Sequence, residues 1–150
     1  MPELVSSTAF NVVPHVVALI VAYLLALPIG WNREKEERSA GLRTFPLVAV
    51  ASCGFIQASE SMLAADPEAM ARIVEGIITG MGFIGGGAIL RQSDSVKGTA
   101  TAASLWTTGA MGTAVGLGSY DVAICLCLFT FATLWLLSPA KTGLTEKSSD

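Results

Sequence analysis

The sequence predicts an all-α, polytopic membrane helix bundle of about five transmembrane helices. Three observations carry that expectation. Only 14% of the 150 residues are charged while 52% are hydrophobic, whereas ordinary soluble domains carry about a quarter charged residues. Five runs contain no Asp, Glu, Lys or Arg: Leu4–Asn32, Thr44–Ser59, Gly76–Leu90, Gly98–Tyr120 and Val122–Ala140. The basic residues, finally, collect between alternate runs. A hydrocarbon core of roughly 30 Å takes about 20 apolar residues of helix. These runs leave little chain for a soluble catalytic domain or a nucleic-acid-binding module. The net charge of −3 is too mild to argue for any charged partner.

The first span, residues 10–30, has no Lys or Arg before it, and Arg33, Lys35 and Arg38 follow. A secretory signal peptide has the opposite order. The run therefore reads as a retained helix that starts outside and ends inside. Glu34 and Arg38 fit an i, i+4 pair on a solvated loop face, whose arginines could alternatively clamp an anion. The second span, residues 45–64, is opened by Gly41-Leu42-Arg43-Thr44. Thr44 is expected to cap it and Arg43 to hold an inner phosphate headgroup. The third span, residues 67–90, begins with Asp66-Pro67, an N-cap followed by a first-turn proline. Its length of about 36 Å crosses with tilt; a re-entrant segment here would leave four spans. Arg91 closes it, where a helix C-terminus favours a cation. The fourth and fifth spans, residues 99–117 and 120–138, complete a single transmembrane domain over residues 1–150. With the amino terminus outside and the carboxy terminus in the cytoplasm, eight of the nine basic residues lie inside and only Arg72 lies outside. That is a positive-inside pattern.

Eleven of the fifteen glycines fall between Gly76 and Gly118. Gly76/Gly80, Gly82/Gly86 and Gly112/Gly116 have small-xxx-small spacing, and Leu105, Gly109, Gly112 and Gly116 share a helical face. Membrane helices associate through close packing that glycine permits. The third and fourth spans are thus expected to form a tightly packed central pair. The alternative is a helix broken at Gly85-Gly86-Gly87, with freed backbone groups lining an ion cavity. Gly80-Met81-Gly82-Phe83-Ile84-Gly85 matches the dinucleotide fingerprint literally, but it lacks the strand and the later acid that the motif needs. Cys53, Cys125 and Cys127 read as small core hydrophobes.

Titratable residues at membrane depth are functional suspects. Glu60 lies about 22 Å along the second span. Glu75 and Asp121, with His15, fall toward outer helix ends. Glu60, Glu75 and Asp121 form the candidate cation cluster, whose carboxylates suit a hard divalent ion such as Mg²⁺. Bland readings compete with it: Glu75 can pair with Arg72 at i, i+3, Asp121 sits at a helix start, and His15 is interfacial. No nucleophile has a base at hand and no metal-ligand spacing occurs, so neither enzymatic activity nor a cofactor is expected.

Ala40-Gly41-Leu42-Arg43-Thr44, Gly82-Phe83-Ile84-Gly85-Gly86-Gly87-Ala88-Ile89-Leu90-Arg91 and Thr101-Ala102-Ala103-Ser104-Leu105-Trp106 together resemble the MgtC/SapB family. The likeness runs from about Ile29 to Ser138. It implies a bacterial inner-membrane, multi-pass protein whose inner-face motif comprises Gly41, Leu42, Arg43, Thr44, Arg91, Thr101 and Trp106. The chain is similar to the shorter SapB/YhiD-type members, which lack the carboxy-terminal cytoplasmic domain of MgtC-like ones. The resemblance also implies a non-enzymatic regulator acting through membrane-protein partners in Mg²⁺ limitation or envelope stress. Its expected partners are membrane lipid and other inner-membrane proteins, with a homo-oligomer left open and no nucleic acid. The alternative is a small transporter or channel component for Mg²⁺ or another cation, working through Glu60 and the glycine-rich helix.

Overall fold

A computed structural model describes residues 12–36, 40–60, 66–92 and 95–146. Five helices dominate it: α1 (Val12–Glu36), α2 (Thr44–Ala58), α3 (Pro67–Gly87), α4 (Thr99–Gly116) and α5 (Tyr120–Glu146). The protein is an all-α membrane helix bundle. Val12–Glu36, Glu68–Gly87 and Tyr120–Leu137 are long and apolar enough to cross a membrane, while Thr44–Ala58 is apolar but shorter.

Helix α4 is the centre of the bundle. It packs against all four other helices, most closely against α2. Ten of its residues are buried, from Thr101 through Val115. Its richness in Thr, Ser and Gly follows from that position, because it meets protein on most sides instead of lipid. Three of the buried hydroxyls bond within the helix itself. Ser104 Oγ donates to the Ala100 carbonyl at 2.6 Å, Thr108 to Ser104 at 2.8 Å and Thr113 to Gly109 at 2.9 Å. A buried hydroxyl without such a partner would cost about 1–3 kcal/mol.

Around it, α1 lays a stripe of Ala18, Ala22, Ala26 and Ile29 into the core, at the i, i+4 and i+3 spacing of one helical face. Helix α1 contacts α2, α4 and α5. Cys127 of α5 donates its thiol to the Leu25 carbonyl of α1 at 3.2 Å. Thr130 of α5 meets Thr107 of α4 at 3.2 Å.

The connections obey local chemistry. Asp66 caps α3 as expected, its side chain accepting from the Glu68 amide at 2.9 Å with Pro67 in the first turn. Helix α4 ends in a paired closure: Ser119 N–H bonds to Ala114 O at 2.9 Å and Gly118 N–H to Val115 O at 3.0 Å. Gly118 has φ 76, the left-handed conformation this helix stop requires.

Two local expectations are corrected, and one alternative falls away. Thr44 does not cap α2: Arg43 holds the cap position without a side-chain bond. The Phe45 amide instead reaches Gly41 O at 3.1 Å. Helix α3 stops at Gly87, and Leu90–Gln92 (β1) pairs antiparallel with Ser95–Lys97 (β2). Arg91 therefore sits opposite Val96 in a hairpin, beyond any helix end. The glycines 85, 86 and 87 are continuous helix and do not break the span.

Candidate functional site

The end of the bundle that carries the hairpin also carries the Gly41–Thr44 motif. Gly30 of α1 lies close enough to the next segment that a Cβ there would sit 3.2 Å from Gly41 O and 3.3 Å from Phe45 Cβ. Phe45 is fully buried in that contact. One turn further along α1, the Glu34 carboxylate accepts from the Leu42 amide at 3.1 Å. A side chain at Gly41 would collide with Glu34, which is a physical reason for glycine at that place. Arg38, the partner expected for Glu34, lies outside the described residues.

Arg33 is the residue here that the sequence pattern misled on. It was expected on a solvated face, yet it is only 4% exposed. Its guanidinium donates to Asn32 Oδ1 at 3.1 and 2.6 Å. The signal was present in its spacing, because Arg33 continues the buried stripe of Ala22, Ala26 and Ile29 by one more turn,. Beside it, Lys35 lies over the Trp31 ring, 4.9 Å from the centroid.

Arg43 is exposed. It stands with Thr44 at one end of a cleft of about 720 Å³ between α2 and α3. The walls are apolar, with Leu47, Phe55, Ile73 and Ile84 among them, and Gly76 and Gly80 forming part of the α3 side. Arg91 is exposed on the hairpin. Thr101 is fully buried, whereas Trp106, half exposed, borders a smaller space of about 280 Å³ between α3 and α4. The motif is thus split: Gly41 and Thr101 are buried, Leu42 is half-buried with its amide on Glu34, and Arg43 and Thr44 open on the cleft.

The glycines divide in the same manner. A Cβ at Gly112 would strike the Ala49 backbone of α2, and one at Gly116 would lie 2.8 Å from Ile56 Cβ and 3.0 Å from Cys53 O. Gly109 faces Met81 of α3, and Gly85 faces Ala102 O at 3.3 Å. At Gly76, Gly80, Gly82, Gly86 and Gly87, added Cβ atoms would meet nothing within 4 Å. The tightest seam joins α4 to α2 through Gly112 and Gly116, while the expected contact of α3 with α4 is made at Gly85 and Gly109. Spacing defines a helix face but does not say which helix lies opposite.

At the other end, Glu60 borders a pocket of about 380 Å³ with His15, Gln57 and Tyr120. Gln57 Nε2 donates to the His15 carbonyl at 3.3 Å. Glu75 and Asp121 are exposed and do not line this pocket. Among the described residues, no three His, Cys, Asp or Glu side chains come together as metal ligands. The expected acidic cluster is not gathered: Glu60 lies just past the end of α2, Glu75 on α3 and Asp121 at the start of α5. Arg72 pairs with Glu68 at 3.8 Å instead of with Glu75.

The sequence profile of the MgtC family matches residues 19–142. The chain belongs to the MgtC family. It is 36% identical over 133 residues to MgtC of Salmonella typhimurium strain LT2, covering 89% of this chain and 56% of that protein. It is 38% identical over 128 residues to SrpB of Synechococcus elongatus, covering 77% and 70% of the two chains. A third relative, YhiD of Escherichia coli K12, is named as a candidate magnesium transporter and is 34% identical over 139 residues, covering 89% and 65%. The chain thus spans little more than half the length of MgtC. No solved structure matches it. The matched MgtC-family region takes in the cleft, the α2–α4 seam and Glu60, and leaves out His15.

Proposed function

We propose that this MgtC-family chain is a non-enzymatic regulator of the bacterial inner membrane, acting on other membrane proteins when Mg²⁺ is scarce or the envelope is stressed. In this reading all five helices cross, the amino terminus lies outside, and the basic segments face the cytoplasm. The observation that carries it is the α2–α4 seam. Gly112 rides against the Ala49 backbone and Gly116 against Ile56 and Cys53, so the bundle axis is filled by close packing. A filled axis suits a protein whose working surface is lateral. The name of the relative YhiD, a candidate magnesium transporter, supports a link to Mg²⁺.

A second reading, a small cation transporter, draws on the pocket at Glu60 and on the name of YhiD. Reconstitution separates the two. Purified protein in liposomes loaded with a Mg²⁺ indicator should pass no more ion than protein-free liposomes, and Glu60→Gln should behave the same. Saturable, selective flux that falls away in Glu60→Gln would overturn the regulator reading.

A further inference from the structure

The cleft between α2 and α3 follows α2 along its whole length, from Arg43 to Ser59, about 24 Å at the rise of an α-helix. Its volume of about 720 Å³ lies within the roughly 300–1,000 Å³ typical of ligand sites. The walls are almost wholly apolar, and a cation stands at one end only. Arg43 is exposed there and makes no hydrogen bond or ion pair with the described residues. The acyl chains of one leaflet fill about half of a roughly 30 Å core, so one chain fits within the length of the cleft. Arg43 immediately precedes the first residue of α2, at a helix end where a headgroup phosphate comes within reach.

The geometry points to a bound anionic phospholipid, with one acyl chain in the α2–α3 cleft and its phosphate on Arg43. This goes beyond the regulatory reading and does not depend on it. Arginine suits phosphate because its planar fork offers paired donors. An apolar wall with a cation at one end matches an amphiphile whose single anionic group sits at one end of a hydrocarbon chain.

The open glycines make the test clean. Gly76 and Gly80 line the cleft and have nothing within 4 Å of an added Cβ, so leucine there can enter at the cleft wall and is expected to occupy part of it. Gly82 and Gly86 are equally open but do not line it. The purified full chain in neutral detergent would be titrated with phosphatidylglycerol or phosphatidylcholine, with retained lipid and oligomeric state read by native mass spectrometry. The parent should keep one phosphatidylglycerol per chain, preferred over phosphatidylcholine by about fivefold, the effect of one basic side chain near an anionic headgroup. Arg43→Gln should abolish the preference. Gly76→Leu and Gly80→Leu should cut retention of both lipids, while Gly82→Leu and Gly86→Leu bind as the parent does. Unchanged retention in the cleft-filling variants would overturn the proposal, as would a preference that survives Arg43→Gln. If those variants instead dissociate a dimer and leave lipid retention alone, the occupant is a second copy of the chain and the lipid assignment fails.

Discussion

Gly112→Ala tests the α2–α4 seam with the smallest perturbation available. The new methyl would strike Ala49 O and lie 2.9 Å from Ala49 Cα and from its carbonyl carbon, where ordinary contact begins at 3.4 Å. The obstacle is backbone, so no rotamer change relieves it. Relieving the carbonyl contact asks α2 to retreat by about 1 Å, a gap that forfeits up to about half of the dispersion energy of each contact it opens. The seam it opens includes Ala49, Cys53 and Ile56, all buried. Overpacking of this kind costs about 1–3 kcal/mol, and alanine recovers up to about 1 kcal/mol in helix propensity. Gly112→Ala should thus lose up to about 2 kcal/mol net, a fall of up to about 8 °C in Tm for a chain of this size. Gly112→Leu should lose more and accumulate poorly in cells. Gly80→Ala is the counterpart, since it gains the same propensity and meets nothing. It should melt at or above the parent. Melting in detergent, followed by loss of a fluorescent size-exclusion peak, reads both. A Gly112→Ala protein as stable as Gly80→Ala would refute the reasoning.

Gly98 opens α4 at φ 87, and a Cβ there would collide with the Ala88 carbonyl; Gly98→Ala should lower Tm, and an unchanged melt would contradict the hairpin-to-helix turn. In detergent, N-ethylmaleimide should spare buried Cys53 and Cys127 until the protein unfolds, and labelling of either in the folded protein would deny the packing of α2 and α5. For the orientation, a reporter active only outside the cytoplasm should work when fused after Gly118 and stay silent after Gln92, and the reverse pattern would invert the topology.

The helices were legible because each contains or overlaps a run lacking charge, and for α3, whose first half carries Glu68, Arg72 and Glu75, Asp66-Pro67 announced the start. The partner of Gly112 was not, because a periodic pattern reports a face and not the helix that meets it. The hairpin had a period-2 signal, with Leu90 and Val96 among Arg91, Ser95 and Lys97, too short to stand out beside long apolar runs. Glu60, Glu75 and Asp121 looked like neighbours because all three sit toward the same ends of their spans. Depth along the bundle axis is readable from a sequence, but bearing around it is not. Arg33 is the instructive miss. Its charge argued for solvent, while its place on the Ala22–Ala26–Ile29 stripe argued for burial, and the stripe prevailed.

The composition of α4 bears on how the molecule is made. The helices long and apolar enough to cross a membrane are α1, α3 and α5; α4 owes its place to protein contacts on most sides. Insertion machinery that weighs each segment by its own transfer free energy has little reason to release α4 into lipid alone. Alone, α4 should therefore insert poorly, and its stable place should depend on neighbouring helices that offer its glycines and hydroxyls a protein lining. Truncation after Leu117, which removes α5, would leave α4 stranded without part of that lining, an easy substrate for membrane quality control.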